Sequence, residues 1–268
     1  MYLKKGNLMF KKESYIKRKL RGLALKIFNA IENNGNYNFG ANGEEVFIEN
    51  LMNSFQNGGG RKVIFDIGAN IGEYSQMIKN KYKGTDLKLH LFEPTKSCFK
   101  TISEKFKDDE NICLNNFGAS NENAEATIYY DKEESGLASL YQRNLDAYNL
   151  ELNQSEDIQL KRLDTYIEDN NIEHIDFIKI DIEGHELKAF EGFGKYLNSD
   201  FVDYIQFEYG GANLDSHSSL MEIYKFLNTR GFKIAKIMPD GIELREYQPF
   251  MDNFHYSNYA AISNKVID

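Results

Sequence analysis

The chain has 268 residues, 41% of them hydrophobic, enough to fill the core of one large domain or two small ones. Its formal net charge of −9 argues against a nucleic-acid partner, which needs a surplus of Lys and Arg spread over a broad face. No apolar run approaches the roughly 20 residues that cross a bilayer, and the basic N-terminus lacks the apolar segment and cleavage site of a secretory signal, so the composition predicts a cytoplasmic protein without a transmembrane segment.

The chain opens on a basic stretch containing Lys4, Lys5, Lys11, Lys12, Lys17, Arg18, Lys19, Arg21 and Lys26. Within it Ile16, Leu20, Leu23, Ile27 and Ile31 recur at three- and four-residue spacing, which predicts a helix. The basic residues read as its solvated face, with an anionic membrane or an acidic partner as the alternative; pairing of such helices would give a homo-oligomer. The segment "NNGNYNFGANG" breaks the pattern before a second helix from Glu44 to Phe55. Residues 1–60 are taken as a helical N-terminal extension and residues 61–268 as one compact domain.

From Lys62 onward short strand-like runs alternate with helical stretches, the pattern of a parallel sheet covered on both faces. Strands are predicted at 62–66, 88–92, 111–115, 176–181, 202–208, 232–238 and 257–263. Helices are predicted at about 72–82, 95–107, 161–170, 185–196 and 217–230. Residues 118–160 fit less simply: one or two further strands, around Ala126 to Tyr130 and Glu156 to Leu160, are predicted with a polar loop between them that is a candidate substrate loop. Cys98 and Cys113 lack C-x-x-C spacing, which fits free thiols in a reducing compartment.

The first chemical signal is "VIFDIGANIGEYS", Val63 to Ser75, where a β-branched strand runs into a glycine turn and then a helix. Glycine permits positive φ and lets a ligand approach bare backbone at the mouth of the sheet. The pattern D-x-G-x-N-x-G departs from the dinucleotide fingerprint by starting on a carboxylate, Asp66, which would repel a pyrophosphate but favour a cationic amino group. Twenty-one residues after Gly72, Glu93 ends the next strand, where an acid can take the hydroxyls of a ribose. Two strand-end acids and no phosphate site suggest S-adenosylmethionine; the competing view is that both merely cap helices. An NAD-dependent oxidoreductase or epimerase would need a glycine triplet and a Tyr-x-x-x-Lys pair, neither of which is suitably placed.

With "LFEP", "LKRLDTYIED", "IDFIKIDIEGHELKAFEG" and "YIQFEY", the glycine motif resembles the FkbM family of S-adenosylmethionine-dependent methyltransferases over roughly residues 62–263. The resemblance implies a Rossmann-like class I methyltransferase with a seven-stranded, mostly parallel sheet whose last strand is antiparallel. It implies that Asp66, Gly68, Asn70, Gly72, Tyr74 and Ser75 surround the methionine part, that Glu93 holds the ribose, and that Asn116 and Phe117 meet the adenine. It further implies O-methylation, with a sugar, sugar nucleotide or glycan as acceptor, or else a small natural product, and S-adenosylhomocysteine as product. The Asn- and Lys-rich composition suggests an AT-rich bacterial genome and polysaccharide biosynthesis.

A hydroxyl acceptor needs a base for its proton. Strand alternation puts Lys179 and Asp181 on one face, with Asp181 above the crevice and Lys179 as its buried partner. Glu183, His185 and Glu186 cluster just beyond, and His185 is the first choice as base because its ordinary pKa lies near neutrality, against a structural role at the helix start. Glu208, ending the next strand beside Tyr209, is the alternative base. Asp181, Glu183, His185 and Glu208 could also bind a divalent metal, which the resemblance does not require and which is not expected. In the substrate loop, Ser135, Ser139, Tyr141 and Arg143 are candidate acceptor contacts, with Arg143 suited to a phosphate or carboxylate.

Overall fold

The structure, a computed structural model, describes residues 2–5, 8–57 and 59–267, with the backbone alone at residues 2–5, 8–11, 57 and 147. The side chains of Lys4, Lys5 and Lys11 thus lie outside the described ones. Two short strands, β1 (Tyr2–Lys5) and β2 (Leu8–Lys11), form an antiparallel hairpin with no counterpart in the sequence reading. Helices α1 (Tyr15–Ile31) and α2 (Glu44–Asn57) follow.

The main sheet is built from β3 (Lys62–Ile67), β4 (Leu87–Phe92), β5 (Ile112–Asn115), β9 (Ile175–Ile180), β10 (Val202–Tyr209), β11 (Phe232–Met238), β12 (Gly241–Leu244) and β13 (Ser257–Ser263). Their spatial order is β12-β11-β13-β10-β9-β3-β4-β5, and β13 runs antiparallel to both its neighbours. The seven predicted strands are all present, displaced by no more than one residue at either end. The eighth, β12, pairs with β11 in a hairpin closed by Pro239 and Asp240, with Met238 opposite Gly241. Its turn chemistry was legible, but Ile242 and Leu244 are exposed, so no burial pattern marked the strand.

Between these strands lie α3 (Glu73–Lys81), α4 (Lys96–Lys105), α5 (Leu163–Asp169), α6 (Glu186–Gly192), α7 (Gly211–Asp215), α8 (Leu220–Asn228) and a terminal turn, α9 (Asn264–Ile267). The helix predicted at 185–196 stops at Gly192 and continues as a tighter 3-10 turn through Gly194, which has φ +56°. The one predicted at 217–230 begins later, at Leu220, because Ser219 caps it and Glu222 completes the capping box. Residues 118–161 form a separate three-stranded sheet, β6 (Gly118–Ala119), β7 (Ala124–Tyr130) and β8 (Gln154–Lys161), in the order β6-β8-β7.

Alternation along the strands feeds two apolar layers. Phe65, Ile178, Ile180 and Phe207 pack with α5, α6 and α8 on one face, whereas Ile64, Leu89, Phe177 and Ala260 pack on the other with Phe47, Ile48, Leu51 and Met52 of α2. α2 is therefore an integral cover of the sheet. α1 buries no residue.

Candidate active site

The turn after β3 reverses direction with three positive φ angles in five residues: Gly68 (+83°), Asn70 (+47°) and Gly72 (+74°). A Cβ on Gly68 would sit 1.9 Å from the carbonyl oxygen of Asp181, and one on Gly72 would sit 2.7 Å from the Phe106 ring. Both glycines are thus demanded by close approach of the chain to itself. Asn70 then locks the loop: its amide N–H donates to Glu93 Oε2 (2.9 Å) and its side chain to the Ser135 carbonyl (3.3 Å).

A cavity of about 620 Å³ opens over the carboxyl ends of β3, β4 and β9, within the size range of small-molecule sites. Its first half is apolar, walled by Phe92, Pro94, Ala119, Ile128, Ile158 and Leu160, most of them from the small sheet. Glu93 lines this half. Its Oε1 already accepts from the Thr95 N–H (2.9 Å) and hydroxyl (2.6 Å), and only Oε2, bonded to Asn70, keeps spare acceptor capacity. Burial raises the Glu93 pKa.

The second half is strongly charged. In one row across three strands, Asp66, Lys179 and Gln206 stand opposite one another on the face covered by α2. Asp66 is fully buried; its Oδ2 accepts from the Ser75 hydroxyl (2.5 Å), and its Oδ1 has no hydrogen-bond partner. Burial raises its pKa. Lys179 Nζ lies 3.2 Å from Asp181 Oδ2. Burial works against the ammonium, but Asp181 and Asp66 outweigh it and hold its pKa above the ordinary lysine range. Gln206 donates to Glu44 Oε2 at the start of α2 (2.7 Å) and accepts from the Tyr74 hydroxyl.

Beyond this row the carboxylates of Asp181, Glu183 and Glu208 each offer an oxygen within 4.8 Å of the others. Burial and then Asp181 push the Glu183 pKa up to about 8, and the same causes, with Glu183 added, raise Glu208 well above its usual value. Arg143 Nη1 lies 2.5 Å from Glu183 Oε2, and Ser139 Oγ donates to the Glu183 carbonyl (2.9 Å). Glu183 itself is a non-glycine residue at φ +49°, a strained conformation held by these contacts. His185 lines the cavity too, but Nε2 meets the Ser120 hydroxyl (3.0 Å) and Nδ1 the Tyr141 hydroxyl (2.9 Å). Burial lowers its pKa to about 4.

Residues 66–234 match the family described as the methyltransferase FkbM domain. The chain belongs to the FkbM methyltransferase family. It is similar to Methyltransferase 1 of Beauveria bassiana (strain ARSEF 2860), with 23% identity over 192 residues that cover 66% of this chain and 74% of that one. Among solved structures it is similar to methyltransferase FkbM from Methylobacillus flagellatus KT, at 19% identity and TM-score 0.47, covering 80% of this chain and 48% of the other. A further similarity is to Aeropyrum pernix fibrillarin bound to S-adenosyl-L-methionine, at 12% identity and TM-score 0.40, covering 76% and 66%. This chain thus spans about half the length of the Methylobacillus protein.

The cofactor of this FkbM methyltransferase is S-adenosylmethionine, and the cavity fits it in kind. It offers an apolar slot for a base, a carboxylate with a free lone pair for a ribose hydroxyl, and an acid-rich end suited to a sulfonium and an ammonium. Of the residues expected at the site, Gly68, Asn70, Tyr74, Glu93, Ser135, Lys179, Asp181, Glu183 and His185 line the cavity. Several others are not among the residues that line it. Asp66 and Ser75 bond to each other in the core. Asn116 Nδ2 donates to the Glu93 carbonyl (2.8 Å), and Phe117 packs on Phe92 and Tyr166. Tyr209 is buried with its hydroxyl on Asp252 (2.8 Å). Ser139, Tyr141 and Arg143 reach Glu183 or His185 within the protein.

Sequence reasoning missed Tyr37, Phe39, Glu44 and Tyr256, which line the cavity, and Gln206, which bonds to Glu44. Glu44 reads as an ordinary acid at a helix start, and nothing in the chain links it to Gln206, 162 positions away. Tyr37 and Phe39 had a usable signal: two aromatics in a Gly- and Asn-rich loop have no core to fill.

Proposed function

We propose that this enzyme transfers the methyl group of S-adenosylmethionine to a hydroxyl of a sugar, a sugar nucleotide or a glycan. The observation that carries this reading is the mouth of the charged half. Tyr37, Phe39 and Tyr256 line it beside Asp181 and Glu183, and the Tyr37 and Tyr256 rings lie 4.5 Å apart. Aromatic faces cover the C–H side of a pyranose while carboxylates accept its hydroxyl protons, which is a combination a purely apolar acceptor would not need.

The cofactor supplies an electrophilic methyl group and leaves as S-adenosylhomocysteine. Gly68, Asn70 and Tyr74 would border its methionine end and Glu93 its ribose, with Ile128, Ile158 and Leu160 against the adenine. Methyl transfer asks chiefly for orientation of the acceptor and removal of its proton. We assign the base to Glu183, whose pKa of about 8 suits proton removal near neutral pH. Arg143 and Ser139 hold it in place. His185, with both ring nitrogens engaged and a pKa near 4, serves as a strut between Ser120 and Tyr141. Residues 61–268 would form the catalytic unit, with α2 of the preceding extension completing the charged half through Glu44. Free thiols at Cys98 and Cys113 suit a reducing cytoplasm, and no helix among the described residues is long and apolar enough to cross a membrane.

The test is incubation of the protein with methyl-labelled cofactor and a panel of sugar nucleotides and oligosaccharides. Label is expected as a methyl ether, stable to mild base. Label recovered on an amine or as a base-labile ester would overturn the hydroxyl assignment.

A further inference from the structure

Helix α1 carries a surface that the catalytic reading does not use. At 100° per residue Ile16, Leu20, Leu23, Ile27 and Ile31 fall in one stripe, and they are 53% to 67% exposed. Lys17, Arg18, Lys19, Arg21 and Lys26 occupy the remaining surface, all exposed. The helix is nonetheless anchored. Phe28 packs edge-on against Phe250 at 5.9 Å, and Glu32, directly after the helix, pairs with Arg245 and with Lys236 (3.5 Å). Asn34 accepts from Lys236 (2.6 Å) and Ser257 (2.8 Å). Phe28 projects about 100° round the helix from Ile27, so the docked side leaves the apolar stripe uncovered.

We propose that α1 binds an anionic lipid surface, lying in the headgroup layer with its apolar stripe inward and its basic flanks on lipid phosphates. Charge complementarity selects this occupant. Residues 1–31 hold nine basic residues and one acidic, in a chain whose net charge is −9, and the single acid, Glu13, is already paired with Arg21 at 2.6 Å. Packing the stripe of a second copy against this one would bring two basic flanks together. An anionic bilayer supplies apolar depth and negative charge at once. With 17 residues and five of them basic, α1 suits lying on a membrane rather than crossing it.

The experiment is co-sedimentation of the full chain with vesicles of phosphatidylcholine alone and of phosphatidylcholine mixed with phosphatidylglycerol. Binding to the mixed vesicles is expected to be at least about tenfold stronger, with the difference removed by high salt. Lys17→Gln combined with Lys26→Gln should weaken it roughly thirty-fold. Leu20→Glu combined with Leu23→Glu should abolish it while leaving the thermal melt unchanged, since neither side chain is buried. Equal binding to both vesicles, or binding to neither, would overturn the proposal. So would a concentration-dependent dimer that the leucine variant abolishes without any vesicle binding, which would assign the stripe to a second copy.

Discussion

Lys179 stands opposite Asp66 across β9 and β3, and its ammonium lies 3.2 Å from Asp181. One buried cation thus serves two acids at the mouth of the sheet. Removing it leaves the fully buried Asp66 without its compensating cation in a low-dielectric environment, a situation that costs about 3 to 5 kcal/mol, whereas Asp181, 36% exposed, stays partly solvated. Lys179→Met is expected to lower stability by about that amount in urea unfolding at neutral pH, and adding Asp66→Asn should recover part of the loss. An unchanged midpoint would show that the row is not electrostatically coupled.

Glu183 has its pKa raised to about 8, so at neutral pH it is mostly protonated and becomes available as a base as pH rises. kcat/KM should therefore climb through an apparent pKa near 8. Glu183→Gln should cost about a hundredfold to ten-thousandfold and flatten the profile. If His185→Ala removes the titration instead, the base has been misassigned.

Glu186 supplies a stability prediction. Burial raises its pKa from 4.5 to about 7 while Oε1 accepts from the Ile182 (3.2 Å) and Gly184 (3.1 Å) N–H groups. The folded state holds this proton more tightly than the unfolded one, so the stabilisation is full below about pH 4.5 and is lost as pH rises through about 7. Glu186→Gln keeps the Oε1 acceptor and removes the titration. Relative to the wild type it should gain up to about 3 kcal/mol between pH 5 and pH 8, measured by denaturant melts across that range. Parallel curves for the two proteins would contradict the assignment.

Gly68 is placed where a methyl group would overlap the Asp181 carbonyl. Gly68→Ala should displace the β9 exit together with the turn, weakening S-adenosylhomocysteine binding at least about tenfold, with a loss of stability of about 1 to 3 kcal/mol. Calorimetric titration of the folded variant would check this, and wild-type affinity would refute it.

Tyr37 is 70% exposed and packs against Tyr256 at the cavity mouth. Tyr37→Ala should raise the acceptor KM about tenfold with the melting temperature and cofactor affinity held. A change in cofactor affinity instead would move Tyr37 out of the acceptor subsite.

Much of this was legible in the chain before folding was considered. Period-two alternation placed Lys179 and Asp181 on the same face, and each of the seven strands was marked by a short run rich in apolar residues. These signals survive because burial on a pleated sheet imposes a local period. The glycine turn and Glu93 were equally clear, since both sit at strand ends where backbone geometry restricts what can follow.

Which side chains reach the cavity was another matter. Asp66 and Glu93 look alike in the sequence as strand-end acids, yet the first turns inward to Ser75 and the second lines the cavity. His185 has an unremarkable local sequence, and only the meeting of Ser120 and Tyr141 from a distant insertion fixes both its nitrogens, while burial, with Lys188 nearby, depresses its pKa. Glu44 joins the site solely because α2 closes the sheet face that ends in Gln206. The sequence by itself determined the order of the main sheet's seven predicted strands, the glycine turn and the family, because those depend on residues near one another in the chain. Tertiary structure alone decided exposure, hydrogen-bond partners and proton affinity, because these are set by groups brought together from far apart and by the water that their packing excludes.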